Sequence, residues 1–363
     1  MRSCRAVGAH RCNGRPSREG IGLRAVVLRG GVLEVRETAD PVPREGELLV
    51  RTISTAICAS DIHYMDHPDP DDTSGLFVWD PDRDVVMGHE FVGEVAALGP
   101  GCTGQFPVGT RVTSTPTLAR GGGMQVIGQH PEAPGSFGEL FVVTEAHARG
   151  VPEDVDPDLV ALTDAFAVGE GYVAMSAVSA GELPLVVGAG AIGLSAVAAL
   201  ASRGIQPIIV SDFNDDRLQL AEAFGRCIVV NPSSRSPYDV WQEVASDRGV
   251  GSPPVIYECV GAAGMLASIV EQCPAGSRIY AAWGWYTGDS LNVTLATKKG
   301  VRIQFGGGPG GDAWYGTLDA IVAGRLDPGP SIGMAIGLDA VPAAIDLARK
   351  AQGPPRVIIH PNE

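Results

Sequence analysis

The chain has 363 residues, 45% of them hydrophobic and 19% charged, which is enough length and apolar content to bury a core in each of two ordinary domains. A net charge of -15 opposes nucleic acid and anionic membrane surfaces at long range, leaving a small or neutral ligand as the expected partner. Only three lysines occur, at 298, 299 and 350, which argues against Schiff-base or P-loop chemistry built on that residue.

The first 22 residues, "MRSCRAVGAHRCNGRPSREGIG", are rich in Arg, Gly and polar residues and have no apolar h-region, so they read as a disordered extension and not as a signal peptide. Cys4, His10 and Cys12 lack a fourth well-spaced ligand and do not read as a metal site. All seven cysteines are scattered without a CxxC pair, which suits reduced thiols and a cytoplasmic location.

From Leu23 onward short apolar runs alternate with Gly and Pro: "LRAVVL", "GVLEVRE", "ELLVRTIS", "FVGEVAALG", "GTRVTST", "GELFVVTE". Such spacing predicts a β-rich, partly barrel-like first half. Within it, "ICASDIH" gathers Cys58, Ser60, Asp61 and His63, and "MGHEFVGEVAALGPGC" adds His89 and Glu90. Cys58 and His89 form the soft and borderline donor pair that zinc accepts, and a catalytic zinc needs a third protein ligand and an open position. Asp164, in "ALTDAFAVGEGY", reads either as that ligand or as a helix N-cap.

Beyond about residue 165 the pattern changes. "LPLVVGAGAIGLSAVAALASRG" is strand, Gly-rich turn and helix, and "IQPIIVSD", "PVIYECVG" and "SRIYAAWGW" continue as buried strands of an open parallel sheet. The apolar run from 183 to 201 contains three glycines in a strand-turn-helix context and is not a membrane span. Gly188, Gly190 and Gly193 have the G-x-G-x-x-G spacing, with Ala191 and Ile192 between them at the start of a helix whose N-terminus would face a pyrophosphate. Asp212 follows at the end of the next strand, where an acid accepts from ribose hydroxyls and repels a 2'-phosphate. NAD is therefore expected over NADP, with Arg217 keeping the second cofactor open. "GPSIG" at 329–333 lacks the strand that a nucleophile elbow requires and reads as a loop. Trp283, Trp285 and Tyr286 either line the nicotinamide pocket or pack at a sheet edge.

Taken together, C-x-S-D-x-H, G-H-E-x-x-G, Asp164 and G-x-G-x-x-G, in this order, resemble the medium-chain zinc-dependent alcohol dehydrogenase family, and the likeness runs from Leu23 to nearly the last residue. The resemblance implies an α/β chain in which residues 23–165 form a GroES-like catalytic domain, 166–304 a Rossmann domain, and 305–363 return to the first. It implies Cys58 and His89 as zinc ligands, with Asp164 where polyol-type members carry a glutamate. Glu90 becomes the neighbouring carboxylate that can exchange onto the metal, and Asp61 the partner that orients His89. Ser60 passes the substrate proton, and His63 hands it to solvent through the cofactor ribose. The implied activity is reversible NAD-dependent oxidation of an alcohol or polyol, with a secondary alcohol favoured, by a homodimer or homotetramer.

Two departures qualify this. Residues 103–143 contain no cysteine, so one catalytic zinc and no structural zinc is expected. Aspartate at 164 is one methylene shorter than glutamate, which leaves Glu90 and Glu170 as alternative third ligands. The rival readings are a zinc-free quinone or enoyl reductase of the same superfamily and a non-catalytic NAD-binding protein.

Overall fold

A computed structural model describes residues 22–69, 72–282, 289–350 and 352–363. Expectations that fall on the first 21 residues and on Trp283, Trp285 and Tyr286 lie outside these residues.

The chain opens with a hairpin. β1 (Leu23–Arg29) and β2 (Val32–Thr38) pair antiparallel across Gly30 and Gly31, whose φ values of 57° and 79° a two-residue hairpin turn of this hand requires. Then come β3 (Glu47–Ala56), α1 (Ala59–Asp66), β4 (Val85–Val86), β5 (Glu90–Leu98) and β6 (Arg111–Ser114). A separate hairpin of β7 (Thr117–Arg120) and β8 (Gly123–Val126) fills the segment where no cysteine occurs. β9 (Leu140–Thr144) and β10 (Ala148–Gly150) complete this part. Two helices, α2 (Pro157–Ala161) and α3 (Thr163–Ser176), lead out of it.

The second half alternates strand and helix: β11 (Pro184–Val187), α4 (Ala191–Ser202), β12 (Ile208–Ser211), α5 (Asp215–Glu222), β13 (Cys227–Val230) and α6 (Pro237–Arg248). It continues through β14 (Val255–Glu258), α7 (Met265–Gln272), β15 (Arg278–Ala281), α8 (Val293–Lys299) and β16 (Arg302–Phe305). All six strands are parallel, in the order β13-β12-β11-β14-β15-β16. β11, β12 and β14 are buried throughout, because helices cover both faces. One cover joins Leu194 and Val197 of α4 with Tyr172 and Val173 of α3, and the other is built on Trp241, Leu266 and Ile269. Strand order reverses between β11 and β14, and in open sheets of this kind a crevice opens there, beyond the strands' carboxyl ends.

α9 (Gly311–Val322) carries the chain back to the first half, followed by β17 (Ile332–Ile336), α10 (Val341–Arg349) and β18 (Arg356–Ile359). The main sheet of the first half has the order β10-β6-β5-β3-β18-β17, with β9 also on β3. The last strand is thus an interior one, buried at all four positions. Two apolar clusters join the halves: Ala56, Leu162, Phe166, Ala198 and Ile358 in one, and Val92, Val160, Ala167, Trp314 and Leu318 in the other.

Candidate metal and dinucleotide site

Cys58 is the N-cap of α1, with an extended backbone (φ -103°, ψ 151°). Asp61, on the first turn of the helix, accepts the Cys58 amide with Oδ2 at 3.0 Å. Its other oxygen lies 2.9 Å from His89 Nδ1, and both side chains are buried. One carboxylate therefore fixes the start of the helix and the imidazole together. His89 enters from the turn before β5, where Gly88 has a φ of 97° and Phe137 occupies the space that a side chain at 88 would need. With Nδ1 held by Asp61, Nε2 turns towards α1, 3.0 Å from Ser60 Oγ.

Glu90 opens β5 opposite Ala56 of β3. Its Oε2 pairs with Arg356 of β18, and both side chains are almost completely buried, while Oε1 is buried with no hydrogen-bond partner. Donor atoms of Cys58, His89 and Glu90 lie within 4.8 Å of one another, and theirs is the one such group among the described residues. Asp164 is in the first turn of α3, with Leu162 as the N-cap in its place, and it lies outside that group. One of its oxygens is buried without a hydrogen bond. Glu170 lies outside that group as well and pairs with Arg203, the C-cap of α4.

The charges support one another. Burial would raise the Cys58 thiol, yet the hydrogen bond and charge of His89 and the charge of Arg356 bring it below its ordinary value. Burial would depress His89, yet Asp61 and Cys58 lift it well above the usual histidine value. A thiol and an imidazole facing one another, braced by a carboxylate, are a donor set whose protons a divalent cation can replace. Burial pushes the Asp164 carboxyl up against the opposing effects of His89 and the indole N–H of Trp314, which lies near it in a geometry short of a regular hydrogen bond. His63, on α1, is half-buried, and its ring stacks on His67 with centroids 6.0 Å apart. Burial and the neighbouring His67 lower its pKa, opposed by Asp66. A thiolate, an imidazole and a carboxylate with a spare buried oxygen fit zinc.

The glycines at the head of α4 divide by cause. A side chain at Gly193 would run into the Gly188 carbonyl, and one at Gly188, besides its φ of 96°, would meet Val260 at 2.8 Å. Gly190 has nothing within 4 Å on the side where a Cβ would stand. No protein neighbour requires glycine there, so the open space is the cradle that a dinucleotide phosphate would fill. The helix begins at Ala191 and Ile192, both half-buried, and its first amides have no intrahelical acceptor. Asp212 directly follows β12 and ties the turn together, accepting from Ala189 N at 2.7 Å and from Asn214 N at 2.9 Å. Phe213, beside it, is 69% exposed. Arg217 reaches the Gly353 carbonyl at 3.4 Å.

Sequence reasoning missed Arg356 and Trp314. The signal for Arg356 was an arginine opening the wholly apolar run "RVII". Trp314 lies on an amphipathic helix and gave none.

A profile described as alcohol dehydrogenase GroES-like domain matches residues 44–153, and one described as zinc-binding dehydrogenase matches 191–322. L-threonine 3-dehydrogenase of Escherichia coli K12 is 31% identical over 327 residues, which cover 86% of this chain and 92% of that protein. Among solved structures, 2R,3R-butanediol dehydrogenase from Bacillus subtilis superposes with a TM-score of 0.80 at 24% identity, covering 94% of this chain and 100% of that one. Galactitol-1-phosphate dehydrogenase from Escherichia coli gives a TM-score of 0.76 at 21% identity, covering 93% and 100%.

Proposed function

Because the chain belongs to the medium-chain zinc-dependent alcohol dehydrogenase family, we propose that it oxidises a secondary alcohol or polyol reversibly, with NAD preferred over NADP. The observation that carries the reading is the convergence of the Cys58, His89 and Glu90 donors, in a chain whose parallel-sheet half also opens a helix on a Gly-rich turn. In this reading those three residues hold the metal, and Asp164 stands behind them without ligating. A bound zinc supplies the Lewis acid that polarises an alcohol oxygen, and a bound dinucleotide supplies the hydride acceptor.

The remaining steps belong to the chain. Asp61 keeps Nδ1 of His89 engaged and so presents Nε2 to the metal. Ser60 Oγ lies 3.0 Å from that same nitrogen, so with His89 serving as a metal ligand its hydroxyl would be the group placed to take the substrate proton. His63, whose protonated form burial disfavours, would be the group that accepts the substrate proton and releases it to solvent. Arg356 balances the charge of Glu90 at the back of the site. Gly188, Gly190 and Gly193 with the amides of Ala191 and Ile192 hold the pyrophosphate, while Asp212 faces the ribose and favours a free 2'-hydroxyl. Arg217 is held by Gly353 on the C-terminal segment, which supports the same preference.

The same reading divides the chain at about residues 165 and 304, and it makes the protein a cytoplasmic homodimer or homotetramer. Among the described residues no helix is long and apolar enough to cross a membrane. β16, exposed at the edge of the parallel sheet, supports self-association.

The test is metal content per chain after exhaustive dialysis, with turnover of secondary alcohols, L-threonine, butane-2,3-diol and sugar alcohols followed with NAD and NADP. About one zinc per chain, lost in Cys58→Ser together with turnover, is the expected result. Wild-type protein that turns over alcohols without metal, or binds dinucleotide and turns over nothing, sinks the proposal.

A further inference from the structure

In a chain of net charge -15, three guanidinium groups line one surface cleft of about 540 Å³: those of Arg44, Arg83 and Arg120. They come from the segment before β3, the turn before β4, and β7, and they surround Glu132. Arg120 is buried and immobilised. Its Nε and Nη2 donate to the two Glu47 oxygens at 2.6 and 2.8 Å, and its Nη1 donates to the backbone carbonyl of Glu132. That last bond fixes the segment on which Glu132 stands, while leaving its side chain out of the fixture.

The Glu132 carboxylate lies between the other two arginines, one oxygen 3.7 Å from Arg44 and the other 3.6 Å from Arg83. Neither distance makes a hydrogen bond. Among the described residues neither guanidinium donates one elsewhere, and all three side chains are about half exposed. Two donor forks thus face one carboxylate, and neither closes a hydrogen bond on it. A phosphate is the anion that fits, since its oxygens project in several directions and can accept from both forks at once. Pro41, Val42, Pro131, Pro134 and Val142 form the apolar remainder of the wall, room for the body of a small molecule.

We propose that this cleft binds a phosphate group, with Glu132 as the internal anion that the ligand displaces. Arg44 and Arg83 are then the recognition residues, and Arg120 is the positioning residue that holds the floor. The site is in the catalytic half, on other elements than the Gly-rich turn, so it is distinct from a dinucleotide pyrophosphate site and independent of the dehydrogenase reading.

Calorimetric titration of the full chain with inorganic phosphate, at constant ionic strength set by sodium chloride, tests this. Wild-type protein should bind with Kd on the order of 1 mM. The double variant R44A/R83A should bind at least about tenfold more weakly. E132Q should bind several-fold more tightly, because it removes the competing charge while keeping the carbonyl that Arg120 holds. Both variants change exposed side chains, and unchanged melting temperatures will show that they fold. Glycerol phosphate run beside inorganic phosphate separates the sources: tighter binding of the ester marks a phosphorylated metabolite, and tighter binding of the inorganic ion marks free phosphate. Absence of wild-type binding, an affinity unchanged in R44A/R83A, or a loss in E132Q overturns the proposal.

Discussion

At the scale of single residues the metal-site reading turns on Asp61, which accepts the Cys58 amide and is paired with His89 at once. Asp61→Asn keeps the shape and loses the charge that orients the imidazole. Metal affinity should fall by about 10- to 100-fold, measured by competition with a chelator. Asp164→Asn, by contrast, should leave metal content per chain unchanged, since the gathered donors are those of Cys58, His89 and Glu90; loss of the metal would restore Asp164 as a ligand. His63 offers a pH test. Its folded-state pKa lies below the ordinary 6.5, because burial and His67 disfavour the cation. If it receives the proton, kcat should fall as pH drops through that depressed value, and His63→Gln should remove this acid limb. The grouping of Cys58, Ser60 and Asp61 about His89 was legible in part because one short stretch carries the first three, whereas the His63 ring stacks on His67. Arg356 and Trp314 were not, since each comes from a distant element and acts only after the sheet and α9 have packed.

Elements show which sequence signals answer to packing and which to a ligand. Gly193→Ala forces a methyl into the Gly188 carbonyl and should lower the melting temperature of the free protein, whereas Gly190→Ala meets nothing. The second variant should melt like wild type and bind dinucleotide at least about tenfold more weakly, read by fluorescence titration. The β7–β8 hairpin supplies a different case. Its anchor is the buried Arg120–Glu47 pair. Burial would raise the Glu47 carboxyl, but Arg120 and the Arg44 amide hold it below the ordinary 4.5. Its contribution to stability is therefore full above pH 4.5 and is lost as pH falls through the depressed folded value. Arg120→Met leaves a buried carboxylate unpaired. It should cost about 3–5 kcal/mol near neutrality and flatten the acid loss of stability, followed by melting temperature against pH. Strands and the Gly-rich turn could be seen in the sequence from alternation and spacing. The hairpin's anchor could not, because Glu47 and Arg120 meet across a fold with no local pattern to announce it.

For the whole molecule the decisive feature is the return of the chain to its own beginning. Leu338, Val341, Ile345, Val357 and Ile359 share a core with Val26, Leu28, Ile57 and Met87, so the first half lacks a wall without the last segment. A chain cut after Val322 should keep a folded parallel sheet, and its first half should expose apolar surface and bind no metal, tested by dye binding and metal content. The change from alternating strands to a parallel sheet was readable as a change of period near residue 165. The return was carried by family resemblance alone, since nothing in "RVII" says which sheet it joins.

That topology also sets an order of events during synthesis. Arg356, the partner of Glu90, belongs to the last strand made, and β18 cannot be inserted beside β3 until the entire dinucleotide-binding half has been translated. A nascent chain that already carries Cys58 and His89 therefore holds them in an unfinished sheet. In the proposed reading, a metal centre on Cys58, His89 and Glu90 would therefore gain the partner of its carboxylate last, after the parallel-sheet half is complete.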